Sequence, residues 1–330
     1  MKRKTIFKIT SFIVFLFFLT LSAIWFLCSQ KESFEFKNQN ISLRLKWINQ
    51  AQFSGFFIAD RKGFYEEKGL NVKIEAGGPN ISPIQMVVSG ANDFGIVGAD
   101  QIILAREKGI PIVAIGVIYK ETPESLISLK EKNIILPKDL IGKKIAVIYG
   151  NDEVLYNSFL SKQKIDRSIL KEVPQIPDVS QLLTNQVDVK MAYEMNDPVL
   201  LQIKGKETNI IRFRDYGVDF YADTLFTTEN MIKNHPDIVK KFVKASFKGW
   251  DYSINNPNET IDEVMDVNPN LNKEAQLGYL LSSIPIITKN EKLGFSDKNI
   301  WENMQKELIS QKMMINPIDI DKTFTNDFLE

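Results

Sequence analysis

Side chains able to carry out covalent chemistry are scarce in this 330-residue chain, which has one histidine, His235, and one cysteine, Cys28. Pro236 follows His235 and pushes it out of helical geometry into a helix-entry role, so most His-dependent catalysis lacks its base. A single Cys excludes a disulfide framework and a thiolate metal cluster. There is no HExxH, no Cys pair and no dense Asp loop, so no metal or cofactor is expected. Gly142-Lys143-Lys144 lacks the upstream glycine and the Ser/Thr of a phosphate loop, and Gly77-Gly78 reads as a turn after a strand. These absences point to binding before catalysis, and the chain is expected not to be an enzyme. Aromatic and acidic residues at element ends are another matter. Trp47, Tyr119, Tyr149 and Tyr193 fall at or near the carboxyl ends of expected strands, where open α/β sheets place their ligand crevice. Beside them lie Asn49, Asp100, Asn151, Asp152, Glu194 and Asp223. Each aromatic alone is more often core or strand-edge packing, and capping or a solvated loop competes evenly with a ligand role for Asp100 and outweighs it for Asp152, which can cap the next helix. Taken together they suit a flat, nitrogen-rich heteroaromatic ring whose amine donates to Glu194 or Asp223. Few Arg or Lys accompany them, which argues against a sulfonate or phosphate as the recognised group.

The elements that must position these residues are legible from periodicity. Ile41, Leu43, Leu45 and Trp47 alternate with Ser42, Arg44, Lys46 and Ile48, the pattern of a strand with one face on a core. A helix is expected from Ser54 to Lys68, with Gly69 as its stop. Strand-like runs at 71–76, 94–98 and 111–119 then alternate with helical runs at 82–90 and 100–108. A second block from Leu126 places strands at 144–149, 189–193 and 210–213 and helices near 152–163, 178–185 and 197–204. This pitch indicates βαβ units and mostly parallel sheets. Past the strand 224–228, a long helix opens at Asn234-His235-Pro236 and carries Ile238, Val239, Phe242, Val243, Ser246 and Trp250 on one face. Helical patterns at 258–267, 272–283 and 296–312 finish the chain. The expected fold class is α/β, with two lobes and a cleft between them.

Charge gives the topology. Lys+Arg and Asp+Glu are 41 each, which excludes a polybasic nucleic-acid binder, but Lys2, Arg3, Lys4 and Lys8 stand in residues 1–30 without an acid. From Ile9 to Cys28 no charge occurs, and the stretch matches the ~20 residues that span a bilayer. The basic residues stay in the cytoplasm, so everything after about residue 30 is expected to be exported and tethered to the membrane. Either the segment remains as an anchor, or Cys28 is lipidated after cleavage, although Leu27 stands where a lipoprotein signal has a small residue. Residues 31–40 read as a spacer.

The stretch WINQAQFSGFFIADRKGFYEEKGLNVKIEAGG (47–78) resembles the opening of ABC-importer substrate-binding proteins of the SsuA/THI5-like (NMT1-like) group. The resemblance continues through QMVVSGANDFGIVGADQIILAREKGIPIVAIGVIY (85–119), LPKDLIGKKIAV (136–147) and the segment 216–257. It implies a type II periplasmic-binding fold, with lobe 1 from 41–125 plus 225–330 and lobe 2 from 126–224, joined by two crossing strands. Family pockets carry over onto Trp47 and Asn49, onto Asp100, onto Tyr149, Gly150, Asn151 and Asp152, onto Tyr193 and Glu194, and more weakly onto Phe56 and Tyr221. The function implied is a monomeric extracytoplasmic receptor that captures a thiamine-precursor pyrimidine and hands it to an ABC permease and its ATPase. Alternatives are a receptor for alkanesulfonates or other small anions, an anchored sensory domain, and a pyrimidine-synthesis enzyme. The last would need a titrating His in the cleft.

Overall fold

The computed structural model describes residues 39–149, 153–289 and 292–330; the expected leader Ile9–Cys28, the Cys28 lipidation site, and Gly150, Asn151 and Asp152 lie outside the described residues. Two five-stranded sheets organise the chain. The first runs β2(Leu70–Glu75), β1(Gln39–Arg44), β3(Phe94–Gly98), β10(Asp223–Thr228), β4(Ile112–Val117). The second runs β7(Lys171–Pro174), β6(Lys144–Val147), β8(Val189–Tyr193), β5(Glu124–Leu129), β9(Thr208–Arg212). In the first, β1 is parallel to β2 and β3, while β10 is antiparallel to β3 and β4. In the second, β6 is parallel to β7 and β8, while β5 is antiparallel to β8 and β9. The expectation of mostly parallel sheets is thus corrected to two mixed ones. The reversed strand in each is the one that has just crossed from the other sheet and so enters from the opposite end.

The two crossings run side by side. Ala222 N–H donates to Tyr119 O (3.0 Å), Ile118 N–H to Asp223 O (2.8 Å) and Arg214 Nη1 to Thr122 O (3.1 Å). A cluster of ions gathers over them. Glu194 accepts from Arg212 and from Arg214 (2.5 Å), and Glu121 pairs with Lys289 and with Arg214 (3.7 Å).

Helices pack on both sheets. The helix α1(Ser54–Arg61) ends about two turns before the expected end at Lys68. There the chain turns and buries Tyr65, whose ring stacks on Phe242 at 5.4 Å. Four further helices, α2(Pro83–Val88), α3(Ala99–Glu107), α4(Glu153–Lys162) and α5(Ser180–Leu183), follow in the two blocks, then α6(Asp197–Ile203) and α7(Glu229–Asn234). The long α8(Pro236–Asn255) has a proline at its first turn and buries Ile238, Val239, Phe242, Val243, Ser246 and Trp250, the face expected from its 3.6-residue period. Phe56 on α1 meets Trp250 edge-on, with ring centroids 5.9 Å apart, inside this core. The chain ends in α9(Pro257–Val267), α10(Lys273–Thr288) and α11(Lys298–Ser310). Trp301, Met304 and Leu308 of α11 share one cluster with Ile102 and Ile103 of α3 and with Tyr156 and Phe159 of α4. Among the described residues, no helix is long and apolar enough to cross a membrane.

Candidate functional site

A cleft opens where strand ends of the two sheets face each other, and its first wall is set by the end of β1. The Arg44 guanidinium donates to Asn92 Oδ1 (3.0 Å), Ala76 O (2.6 Å) and Glu75 Oε2 (2.6 Å), which ties the ends of β1 and β2 together. Gly77 N–H donates to Trp47 O at 2.8 Å. A Cβ on Gly77 would sit 2.2 Å from Leu45 O, so only glycine lets the two segments lie this close and hold Lys46 and Trp47 at the cleft. Behind them, Gln50 Nε2 donates to Gln52 Oε1 (2.7 Å) and Gln52 Nε2 to Asp223 Oδ2 (2.7 Å). Ala51 N–H donates to Gln276 Oε1 (2.7 Å), which docks α10 and brings Tyr279 into the lining.

The second wall comes from the carboxyl ends of β6, β7 and β8, as Ile148, Gln175, Pro177 and Met191–Tyr193, and from Asn196 and Asp197 at the start of α6. Glu124 joins them because β5 runs antiparallel to β8 and opposes Tyr193. Lys190 and Asp197 form a buried ion pair, and Lys190 Nζ also donates to Asp178 O at 2.9 Å. The walls touch at Lys46, whose Nζ donates to the Tyr193 hydroxyl (2.9 Å) and lies 3.5 Å from Asp223. Tyr193 in turn donates to Asp223 Oδ1 at 3.3 Å. Burial pushes the Asp223 carboxyl above its ordinary range, while Lys46, Gln52 and Tyr193 pull it back down.

The expected site residues separate into groups. Trp47 and Tyr193 line the cleft, and Asp223 lies just behind it in contact with Lys46, Gln52 and Tyr193. Asp100, in the first turn of α3, lines a smaller cavity that shares Lys46, Glu124 and Tyr193 with the cleft. Tyr119 is fully buried one layer back, donating to Ser283 Oγ (3.4 Å), its ring 6.4 Å from that of Tyr193. Asn49 is not brought to the lining; its carbonyl accepts from Asn268 Nδ2 at 3.0 Å. Tyr149 stands exposed, one residue past the lining Ile148. Three residues serve packing or ion pairing: Phe56 in the core, Tyr221 accepting from Asp297 N–H (2.9 Å), and Glu194 held between Arg212 and Arg214.

Sequence reasoning passed over Lys46, Gln50, Gln52, Glu124, Gln175, Lys190, Asp197 and Tyr279, all of which line the cleft. One signal was available: Lys190 sits inside the otherwise apolar strand VKMAY, where a buried charge needs a partner. The expected shortage of cations is also corrected, since Lys46 and Lys190 both face the cleft. They are balanced by the lining carboxylates Glu124 and Asp197, so the wall offers no net positive charge to an anion. His235, between α7 and α8, is exposed and outside the lining, and no metal-binding cluster exists among the described residues.

Comparison with known proteins agrees with this architecture. The riboflavin-binding protein RibY of Chloroflexus aurantiacus is 25% identical over 88% of this chain and 86% of its own length. The formylaminopyrimidine-binding protein of Halalkalibacterium halodurans is 23% identical over 87% of this chain and 90% of its own. A 4-amino-5-hydroxymethyl-2-methylpyrimidine phosphate synthase of Legionella pneumophila is 23% identical over 88% and 92%. Among solved structures, the periplasmic aliphatic sulphonate-binding protein SsuA of Escherichia coli superposes with a TM-score of 0.68 over 88% of this chain and 99% of its own, at 14% identity. That likeness shows the fold, an α/β periplasmic-binding-protein fold built on two mixed sheets. The family model described as NMT1/THI5 like matches residues 50–260, and the chain belongs to that family.

Proposed function

We propose that the protein is an extracytoplasmic solute receptor of an ABC importer, which captures a pyrimidine-type thiamine precursor in the cleft and delivers it to a permease and its ATPase. The observation that carries this reading is the cleft itself: aromatic faces from Trp47 and Tyr193 among polar groups that mostly pair with one another, with lining charges that cancel. Stacking of a flat ring supplies affinity, and the polar groups fix its orientation. The similar proteins named for formylaminopyrimidine and riboflavin binding support a heteroaromatic ligand. Lobe 1 (41–125 plus 225–330) and lobe 2 (126–224) close on it about the crossing segments, and closure tells the permease that the receptor is loaded. The segment Ile9–Cys28 tethers the monomeric receptor outside the cytoplasm.

A synthase reading draws on the relative from Legionella pneumophila. The cleft lining contains no histidine to serve that chemistry. A sulfonate reading draws on the shared fold, and the balanced charge of the lining opposes it. Thermal unfolding in the presence of candidate ligands tests the proposal. A ligand at 100 times its Kd adds about 2.7 kcal/mol of stability, enough to raise the melting midpoint by several degrees. The expected result is a rise with 4-amino-5-hydroxymethyl-2-methylpyrimidine or its formylamino relative and none with taurine; the reverse pattern refutes it.

A further inference from the structure

We propose that the buried Lys190–Asp197 ion pair reads the edge of the bound ring, and that it selects a heteroaromatic carrying a hydrogen-bond acceptor and an N–H donor side by side. This rests on the receptor reading above and extends it to the chemistry of the recognised edge.

Stability alone explains this pair poorly. Lys190 lies inside β8 and Asp197 opens α6; their side chains are only 3% and 5% exposed, and both residues line the cleft. Taking two charges out of water costs more than their mutual attraction reliably returns, and apolar side chains of similar volume commonly serve a fold as well or better. The hydrogen bonding of the pair is also incomplete. Lys190 Nζ donates to Asp178 O (2.9 Å) and to Asp197 Oδ2, which uses two of the three hydrogens of an ammonium. Asp197 Oδ1 accepts no hydrogen bond among the described residues and is not sealed from solvent, so it opens on the cleft that its residue lines.

The pair thus offers one donor hydrogen beside one acceptor oxygen, on the wall that carries the aromatic face of Tyr193. Tyr193 stands between the two residues in the chain, so a ring stacked on it turns an edge towards them. That edge completes both groups when it presents an acceptor next to an N–H donor. A ring nitrogen beside an exocyclic amine does so in an aminopyrimidine, and a carbonyl beside the imide N–H does so in a flavin. Both bonds involve an ionised partner, which makes them stronger than neutral ones. A ring edge that offers acceptors alone leaves Asp197 Oδ1 facing another lone pair, and that mismatch is the source of the selection.

The test is calorimetric titration and thermal melting of the full chain and of its Lys190→Met/Asp197→Leu double variant. Each is titrated with 4-amino-5-hydroxymethyl-2-methylpyrimidine, the same ring lacking its amine, riboflavin, and riboflavin methylated on its imide nitrogen. For whichever heteroaromatic binds, the wild-type chain is expected to prefer the form with the N–H donor about tenfold or more. In the double variant that preference should vanish, while the unliganded protein melts no lower than wild type, as an apolar pair of similar volume allows. A wild-type chain that binds both forms alike overturns the role of the pair and leaves the receptor reading intact, even where the double variant fails to fold. A double variant that keeps the preference does the same, whatever its melting point. A wild-type chain that ignores both heteroaromatics overturns the receptor reading and the pair with it.

Discussion

Asp223 is where burial and pairing compete most directly. It is 1% exposed, and burial raises its carboxyl although Lys46, Gln52 and Tyr193 all favour the charged form. The folded-state value lies above the unfolded one. Its contribution to stability is therefore fully present below about pH 4, the ordinary carboxylate range, and is lost as the pH rises through the raised value. Urea unfolding of wild type and Asp223→Asn should show the wild-type advantage shrinking as the pH rises from about 4; an advantage that grows would contradict this account of Asp223. Glu194 serves ion pairing instead. Its carboxylate is taken up by Arg212 and Arg214, so Glu194→Gln is expected to cost about 1–3 kcal/mol of stability while leaving ligand affinity within a few-fold. Denaturant melts and titration of that one variant separate the two effects. Glu194 also shows the limit of reading a site from sequence. A carboxylate at a strand end looks available until the fold brings two guanidinium groups to it from 18 and 20 residues away.

Elements with strong periodicity were legible and those without it were not. The buried stripe of α8 follows from a 3.6-residue repeat, and β3 and β8 stand at the expected boundaries because apolar runs between turn residues leave little choice. Neither β5 nor β7 was foreseen. In β5, ESLISL buries all six residues on both faces and so loses the alternation that marks a half-exposed strand. In β7, the four-residue KEVP is an edge strand with few apolar positions. That second omission concealed Gln175, which β7 delivers to the cleft. Packing between α1 and α8 was hidden too, since it depends on backbones in near contact. A Cβ on Gly249 would lie 2.1 Å from Gly55 O and 2.8 Å from the Ala59 Cβ. Gly249→Ala should therefore destabilise the protein by about 1–3 kcal/mol, despite alanine's better helix propensity, because backbone cannot give way as a side chain can. A melt that shows net stabilisation would contradict this packing.

At the scale of the molecule, the two sheets repeat one plan, with three parallel strands, then the strand that has crossed over, then a last antiparallel neighbour. Such a repeat sets two rows of strand ends against each other across a cleft, with the crossing segments behind. The helix α10 reaches from the first wall to α6 on the second, where a Cβ on Gly278 would lie 2.6 Å from a Val199 methyl. Gly278→Ala should thus push α10 and α6 apart or displace the Val199 methyl, weakening ligand binding several-fold and lowering unliganded stability as well. Calorimetry and thermal melts of that variant check both halves of the expectation. The sequence pattern was sufficient to expect α/β architecture and a cleft. Which polar side chains meet there depends on pairings between residues more than a hundred positions apart, such as Lys46 with Tyr193. The account's central claim is that this cleft holds a heteroaromatic ring and does not transform it. Its most direct test is calorimetric titration of the full chain with 4-amino-5-hydroxymethyl-2-methylpyrimidine, its formylamino relative, riboflavin and taurine, followed by mass spectrometry of the recovered ligand. The account predicts one-to-one binding of at least one heteroaromatic, recovered unchanged, and no binding of taurine. Tight binding of taurine with none of the rings, or recovery of a chemically altered ring, would contradict it.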